Sequence, residues 1–152
     1  MCGGIAFKIS KIPKAELDKF YSELEIVDQI KKDQAQSYFW SKRPVLPIED
    51  SNRNIKLYDW GNRSEEVKLP KTGWAKQESI EQGWWQQYKP KFVTIPAEKG
   101  YEKGVWFDLS GRGFEGIAVK DKKDERVYMI TKPASQEYKN LTHHDREPIE
   151  VK

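Results

Sequence analysis

The sequence predicts an α+β fold, a β-rich core with two or three helices, in one domain over residues 1–152. Three observations carry that expectation. Ile5, Phe7 and Ile9 alternate with other residues, the period of a strand near the N-terminus. Two segments, one opened by Pro13 and one closed by Pro90, space their apolar residues as helices do. The second half is divided by turn residues into short β-branched and aromatic runs.

Taken in order, residues 3–9 form a first strand, which anchors Cys2 at a sheet edge. Pro13, at the favoured first helical position, opens a helix whose apolar face is Leu17, Phe20, Tyr21 and Leu24. A polar stretch from Lys31 to Ser37 leads into short strands at 38–40 and 45–48, broken by Pro44 and Pro47. Residues 55–60, IKLYDW, read as a strand, and 61–73 as a loop punctuated by Gly61, Pro70 and Gly73. A second helix is expected over 79–89. There Ser79 and Gln82 fit a capping box, Ile80, Trp84 and Tyr88 share a face, and Pro90 stops the helix. Strands follow at 91–95, 104–109, 114–120 and 126–132, joined through GRG at 111–113 and DKKDE at 121–125. Pro96 and Gly100 read as a sharp turn. A short helix at 134–141 precedes the loop THHDREP and a last strand from Ile149.

Composition narrows the function classes. A single cysteine excludes an internal disulfide framework and fits a reducing compartment. The opening MCGGIAFKIS lacks the long apolar core and cleavage site of a signal peptide. No apolar run approaches the ~20 residues of a membrane span, so a cytoplasmic protein with no membrane partner is expected. The net charge of +3 permits nucleic-acid binding without demanding it. Most of the six Trp, seven Tyr and six Phe are expected in the core, with a few exposed ones suited to stacking on unpaired bases. With no oligomer signal, the chain is read as a monomer.

Cys2 is the first residue with chemistry of its own. Once Met1 is removed, it carries a free α-amine and a thiol on adjacent carbons. An aldehyde condenses with the amine to an imine, and the thiol closes on the imine carbon to give a thiazolidine. Reference pKa values of about 7.7–8.0 for the amine and about 8.5 for the thiol leave both nucleophiles usable near neutral pH. Gly3 and Gly4 allow close backbone approach to a ligand. The plain alternative is a cysteine acting as a small hydrophobe.

Two other places stand out. His143 and His144 are adjacent in a polar loop, where a histidine either sits on the surface or shuttles protons near neutral pH. Lacking a second cysteine and a helical His spacing, Cys2 with these histidines is not expected to bind metal, and no cofactor is expected. Glu102 lies between Tyr101 and the apolar run Val105–Phe107. It is either a partly buried carboxyl whose protonated form is favoured, or a surface acid paired with Lys99 or Lys103.

Together these segments resemble the SRAP family, the SOS-response-associated peptidase or abasic-site-processing domain. MCG resembles the family's MCGRF start. DWG at 59–61 is similar to RWG, and WAKQES at 74–79 sits where the family has NARSET. IPAEKGYEKG is similar to VPADGFYEW, YMITKPA to TIITTPA, and THHDREPIEV to IHDRMPVIL. The ordered set spans essentially the whole chain.

The resemblance implies binding of single-stranded DNA and a covalent thiazolidine between Cys2 and the aldehyde of an abasic site. It implies Cys2 as nucleophile, with Glu102 and His144 as the acid–base residues that open the closed sugar and move protons during imine formation. It implies DNA contacts at Gly3, Trp60, Trp74, Lys76 and Arg146, and association with the nucleoid when DNA is bound. Self-removal of Met1, implied for the family, makes a cysteine peptidase the second expectation. A non-covalent single-strand binding module is the third. Three departures bear on the choice: Gly4 replaces the family's Arg, Trp74 its Asn, and Lys76 its second Arg. Trp74 is left either as a stacking residue or as core.

Overall fold

The computed structural model describes residues 2–151. In chain order the elements are β1 (Gly4–Phe7), α1 (Lys14–Asp18), α2 (Glu23–Lys32), β2 (Ala35–Tyr38), β3 (Val45–Glu49), β4 (Ile55–Trp60), β5 (Trp74–Lys76) and α3 (Gln77–Glu81). A 3-10 turn (Trp84–Tyr88) follows, then β6 (Lys91–Pro96), β7 (Lys99–Glu102), β8 (Val105–Asp108), β9 (Gly113–Asp121), β10 (Asp124–Pro133), α4 (Gln136–Thr142), β11 (Arg146–Pro148) and β12 (Glu150–Val151). The expected α+β class is observed, with strands dominating. No helix among the described residues is long and apolar enough to cross a membrane.

Five strands close a small barrel in the order β10-β4-β3-β6-β9 and back to β10. Only the β10–β4 seam is parallel, with Arg126 opposite Asp59 and Val127 opposite Trp60. The two longest strands, β9 and β10, are covered on both faces. Along β10, Val127 and Met129 enter one apolar cluster, while Tyr128 and Ile130 enter another with Ile117, Val119, Ala75 and Trp85. The period-2 projection of strand side chains explains how one apolar run feeds two cores. Gly113 marks a tight corner, since a Cβ there would lie 2.0 Å from the Ile95 carbonyl oxygen.

Against the barrel lies a four-stranded antiparallel sheet in the order β2-β1-β7-β8. Here the structure corrects several boundaries. Pro13 caps α1 instead of entering it, and the expected first helix is two. Ser22 and Glu25 form a reciprocal capping box that starts α2, with Ser22 N–H donating to Glu25 at 2.9 Å and Glu25 N–H to Ser22 Oγ at 3.2 Å. Leu24, expected on the apolar face, is 85% exposed. The expected 79–89 helix is interrupted at Gly83, whose φ of 85° ends α3, and no side chain caps that helix. The expected 38–40 strand lies earlier as β2, drawn into register with β1 from Gly4↔Tyr38 to Phe7↔Ala35.

The segment read as a turn around Gly100 is strand β7. The actual turn is Lys103–Gly104, both with positive φ, a two-residue primed hairpin into β8. Gly100 is required for contact, because a Cβ there would come within 2.4 Å of the Phe107 ring. β5 and β11 are three-residue strands formed on the edges of β10 and have no periodicity long enough to read.

Candidate functional site

The site begins where β1 begins. Gly3 N–H donates to the Tyr101 carbonyl at 2.7 Å, and Phe39 N–H donates to the Gly3 carbonyl at 3.0 Å. The Trp74 indole N–H donates to the Cys2 carbonyl at 2.9 Å. Cys2 is therefore pinned from three directions. Its side chain is fully buried, and its thiol donates to the Gly4 carbonyl at 2.9 Å. Burial pushes the thiol up to about 12; the Glu102 charge adds to the rise, while backbone contacts at Tyr101 and Gly4 offset part of it.

Glu102 ends β7. The β1–β7 register pairs Gly4 with Tyr101, and the Gly3 N–H reaches the same Tyr101 carbonyl, so Glu102 lies just past that contact, near enough to Cys2 to act on its thiol. Glu102 is 5% exposed, so it is not a surface acid. His144 arrives from α4. His143 ends that helix in a left-handed conformation, φ 58°, and its N–H donates to the Lys139 carbonyl at 2.8 Å. Lys103 Nζ donates to the His143 carbonyl at 3.0 Å, tying the end of α4 to the β7–β8 turn. The role of His143 is thus to turn the chain so that His144 points inward.

The His144 ring is oriented by the backbone. Its Nδ1 accepts the Arg146 N–H at 3.1 Å, which places the proton of the neutral ring on Nε2. Nε2 lies 3.7 Å from Glu102 Oε1, and Nδ1 lies 3.5 Å from Asp145 Oδ1. The arrangement sets an imidazole 3.7 Å from a carboxyl that itself acts on a buried thiol, which suits proton relay at a reacting carbonyl. Tyr138 on α4 is a member that sequence reasoning missed. Its hydroxyl is buried, and burial, with the nearby Cys2 and Glu102, pushes its phenol far up, Thr142 offsetting a small part. Only its place on the buried face of α4 signals it.

The remaining expected DNA contacts divide. Lys76 is exposed at the end of β5. Trp74 is half-buried between Phe39 and Trp60, at 4.9 and 6.0 Å between ring centres, and tethers Cys2. Trp60 corrects the expectation: it is 1% exposed, its indole N–H donates to the Gly73 carbonyl at 2.9 Å, and it is core, unable to stack on a base. Arg146 forks onto Glu78 with hydrogen bonds of 2.7 and 2.9 Å and also donates to the Thr131 carbonyl at 3.0 Å. That fork holds the Glu78 carboxyl down at about 2. Gly4 sits under Tyr38, where a Cβ would meet the ring at 2.7 Å, so any larger residue there must displace the ring.

The fold has a solved counterpart. A Bacteroides thetaiotaomicron protein determined by X-ray crystallography at the Northeast Structural Genomics Consortium superimposes with a TM-score of 0.59 at 17% identity, over 99% of this chain and 77% of that one. At that identity the likeness concerns the fold alone. No protein-family model matches the sequence, and no curated protein matches it.

Proposed function

We propose that this chain is a covalent trap for abasic sites in single-stranded DNA, of the SRAP type, acting through Cys2 as a free N-terminus after Met1 is removed. Met1 itself lies outside the described residues. The observation that carries the reading is Glu102, which acts on the buried Cys2 thiol and stands 3.7 Å from His144, three residues drawn from positions far apart in sequence.

The chemistry balances without an oxidant or metal. A proton delivered by the Glu102 carboxyl to the ring oxygen, with the C1′ hydroxyl proton taken up by His144, opens the closed abasic sugar to its aldehyde. The Cys2 amine lone pair attacks C1′, and the carbinolamine loses its hydroxyl with a proton as water, leaving an imine. The S–H then adds across C=N, sulfur to carbon and proton to nitrogen. Aldehyde, amine and thiol become a thiazolidine and one water. His144, with its Nε2 toward Glu102, relays protons between these steps. Holding the amine beside the aldehyde adds a proximity contribution.

A thiol held near 12 by burial favours this route over a cysteine peptidase, because imine formation starts at the amine, whereas a peptidase needs an activated thiolate. Full burial of Cys2 also favours a second reading, a non-covalent single-strand binding module in which the thiol only packs. The deciding test mixes protein of mass-verified N-terminus with single-stranded DNA carrying one abasic site, followed by a denaturing gel. A shifted band that needs both the lesion and Cys2 supports the trap. DNA binding without any band from Met1-free protein selects the binding module.

A further inference from the structure

Antiparallel partners that face each other in register project to the same side of a sheet. Gly4 pairs with Tyr38 on one side and Tyr101 on the other, and Tyr101 pairs with Trp106. These three rings therefore share one face of the β2-β1-β7-β8 sheet, with a glycine between them. Ring centres lie 5.5 Å apart for Tyr38–Tyr101 and 5.0 Å for Tyr101–Trp106. Trp40 joins the group at 4.9 Å from Tyr38 and 5.8 Å from Tyr101. It lies across Gly3, where a Cβ would come within 2.8 Å of the indole, and it is 59% exposed. A large exposed indole beside partly exposed tyrosines is a surface without a core to serve.

Cations continue from this group. Lys42 and Arg43, two and three residues after Trp40, line a pocket with Asp59, Arg63 and Arg126. Arg43 pairs with Asp59 at 3.0 Å and Arg126 with Asp124 at 3.4 Å. Lys42 and Arg63 are exposed and make no ion pair among the described residues. Arg63 is nonetheless held in place, donating to the Ser41 and Lys42 carbonyls at 2.6 and 3.2 Å. The result is an exposed Trp40 indole, backed by tilted and edge-on tyrosine rings, adjoining the positive charge of Lys42 and Arg63, the complement of an unpaired base and its phosphate.

We propose that single-stranded DNA leaves Cys2 across Gly3, stacks one unpaired base on Trp40 against Tyr38 and Tyr101, and sets the next backbone phosphate in the pocket at Lys42 and Arg63. This rests on the reading of the chain as a single-stranded DNA binder and assigns the path that reading lacks. Trp60 is core and Arg146 is engaged by Glu78, so the Trp40 face supplies stacking and charge on the Cys2 side of the fold.

The test uses the full chain and a short fluorescein-labelled oligodeoxythymidylate without a lesion, followed by anisotropy over a salt series. Trp40→Ala is expected to weaken binding roughly tenfold. Lys42→Ala should weaken it and lower the slope of log affinity against log salt by about 0.7, the loss of one single-strand phosphate contact. Trp84→Ala removes another exposed indole, 50% exposed on the 3-10 turn, and should bind as wild type. If wild type binds and both Trp40→Ala and Lys42→Ala match it, the path is wrong while the binding reading stands. If wild type does not bind at low salt, both fall. Should Trp40→Ala not fold, the Lys42→Ala slope decides alone.

Discussion

Nε2 of His144 stands 3.7 Å from Oε1 of Glu102, and the ring is fixed in that attitude by the Arg146 N–H on its other nitrogen. Neither residue reaches the other through local structure. Glu102 is delivered by the β1–β7 register and His144 by the left-handed residue that ends α4. On the proposed chemistry, Glu102→Gln and His144→Ala should each slow crosslinking to abasic single-stranded DNA by about 10²–10⁴. Initial rates on a denaturing gel measure this. Lesion-free DNA binding by the same variants should be unchanged, and a parallel loss of binding would mean that the pair is structural.

Cys2 should be a silent thiol in the folded protein. With its pKa pushed up to about 12, the thiolate fraction at pH 8 is on the order of 10⁻⁴. A disulfide reagent should leave the native protein unmodified at pH 8 and titrate one thiol in guanidinium. Fast labelling of the native state would show that the N-terminal segment opens readily.

The Trp74 indole tethers the Cys2 carbonyl, so Trp74→Phe keeps the ring and removes the donor. A stability loss of about 1 kcal/mol is expected from urea denaturation. Crosslinking should also slow, since Cys2 loses one of its three anchors. Equal crosslinking rates would show that the tether serves packing alone.

The Glu78–Arg146 fork predicts an acid-sensitive component of stability. Glu78 has a depressed folded-state pKa of about 2, held there chiefly by its hydrogen bonds with Arg146, against about 4.3 when unfolded. The unfolded state takes up the proton first as pH falls, so this stabilisation is present above about 4.3 and is lost as pH drops through about 2. Glu78→Gln should be less stable than wild type at neutral pH, with the gap closing toward pH 2. Urea midpoints across that range provide the check, and a gap independent of pH would assign the loss to packing.

Gly4→Arg should be destabilising. The new Cβ would meet the Tyr38 ring at 2.7 Å and disturb the aromatic face. A lowered thermal midpoint with weaker binding to oligodeoxythymidylate is the expected pair of results. An unaffected midpoint would show that Tyr38 moves aside without cost.

The α+β class, strand β4, the long C-terminal strands and the hairpin between them were legible in the sequence, because period-2 alternation and turn residues act within a few positions. The Ser22–Glu25 box and the Lys103–Gly104 turn were equally local, but an apolar helix face drawn through Leu24 and a turn placed at Pro96 and Gly100 passed over them. Linear motifs nominated Cys2, Glu102 and His144. Only the tertiary structure decided what surrounds them. Strand pairing across about a hundred residues brought Glu102 near Cys2, buried the Cys2 thiol, sent Trp60 into the core and turned Trp74 into a tether. Burial and pairing depend on which faces meet, and that is fixed by the closing of the sheets, not by any short stretch of chain.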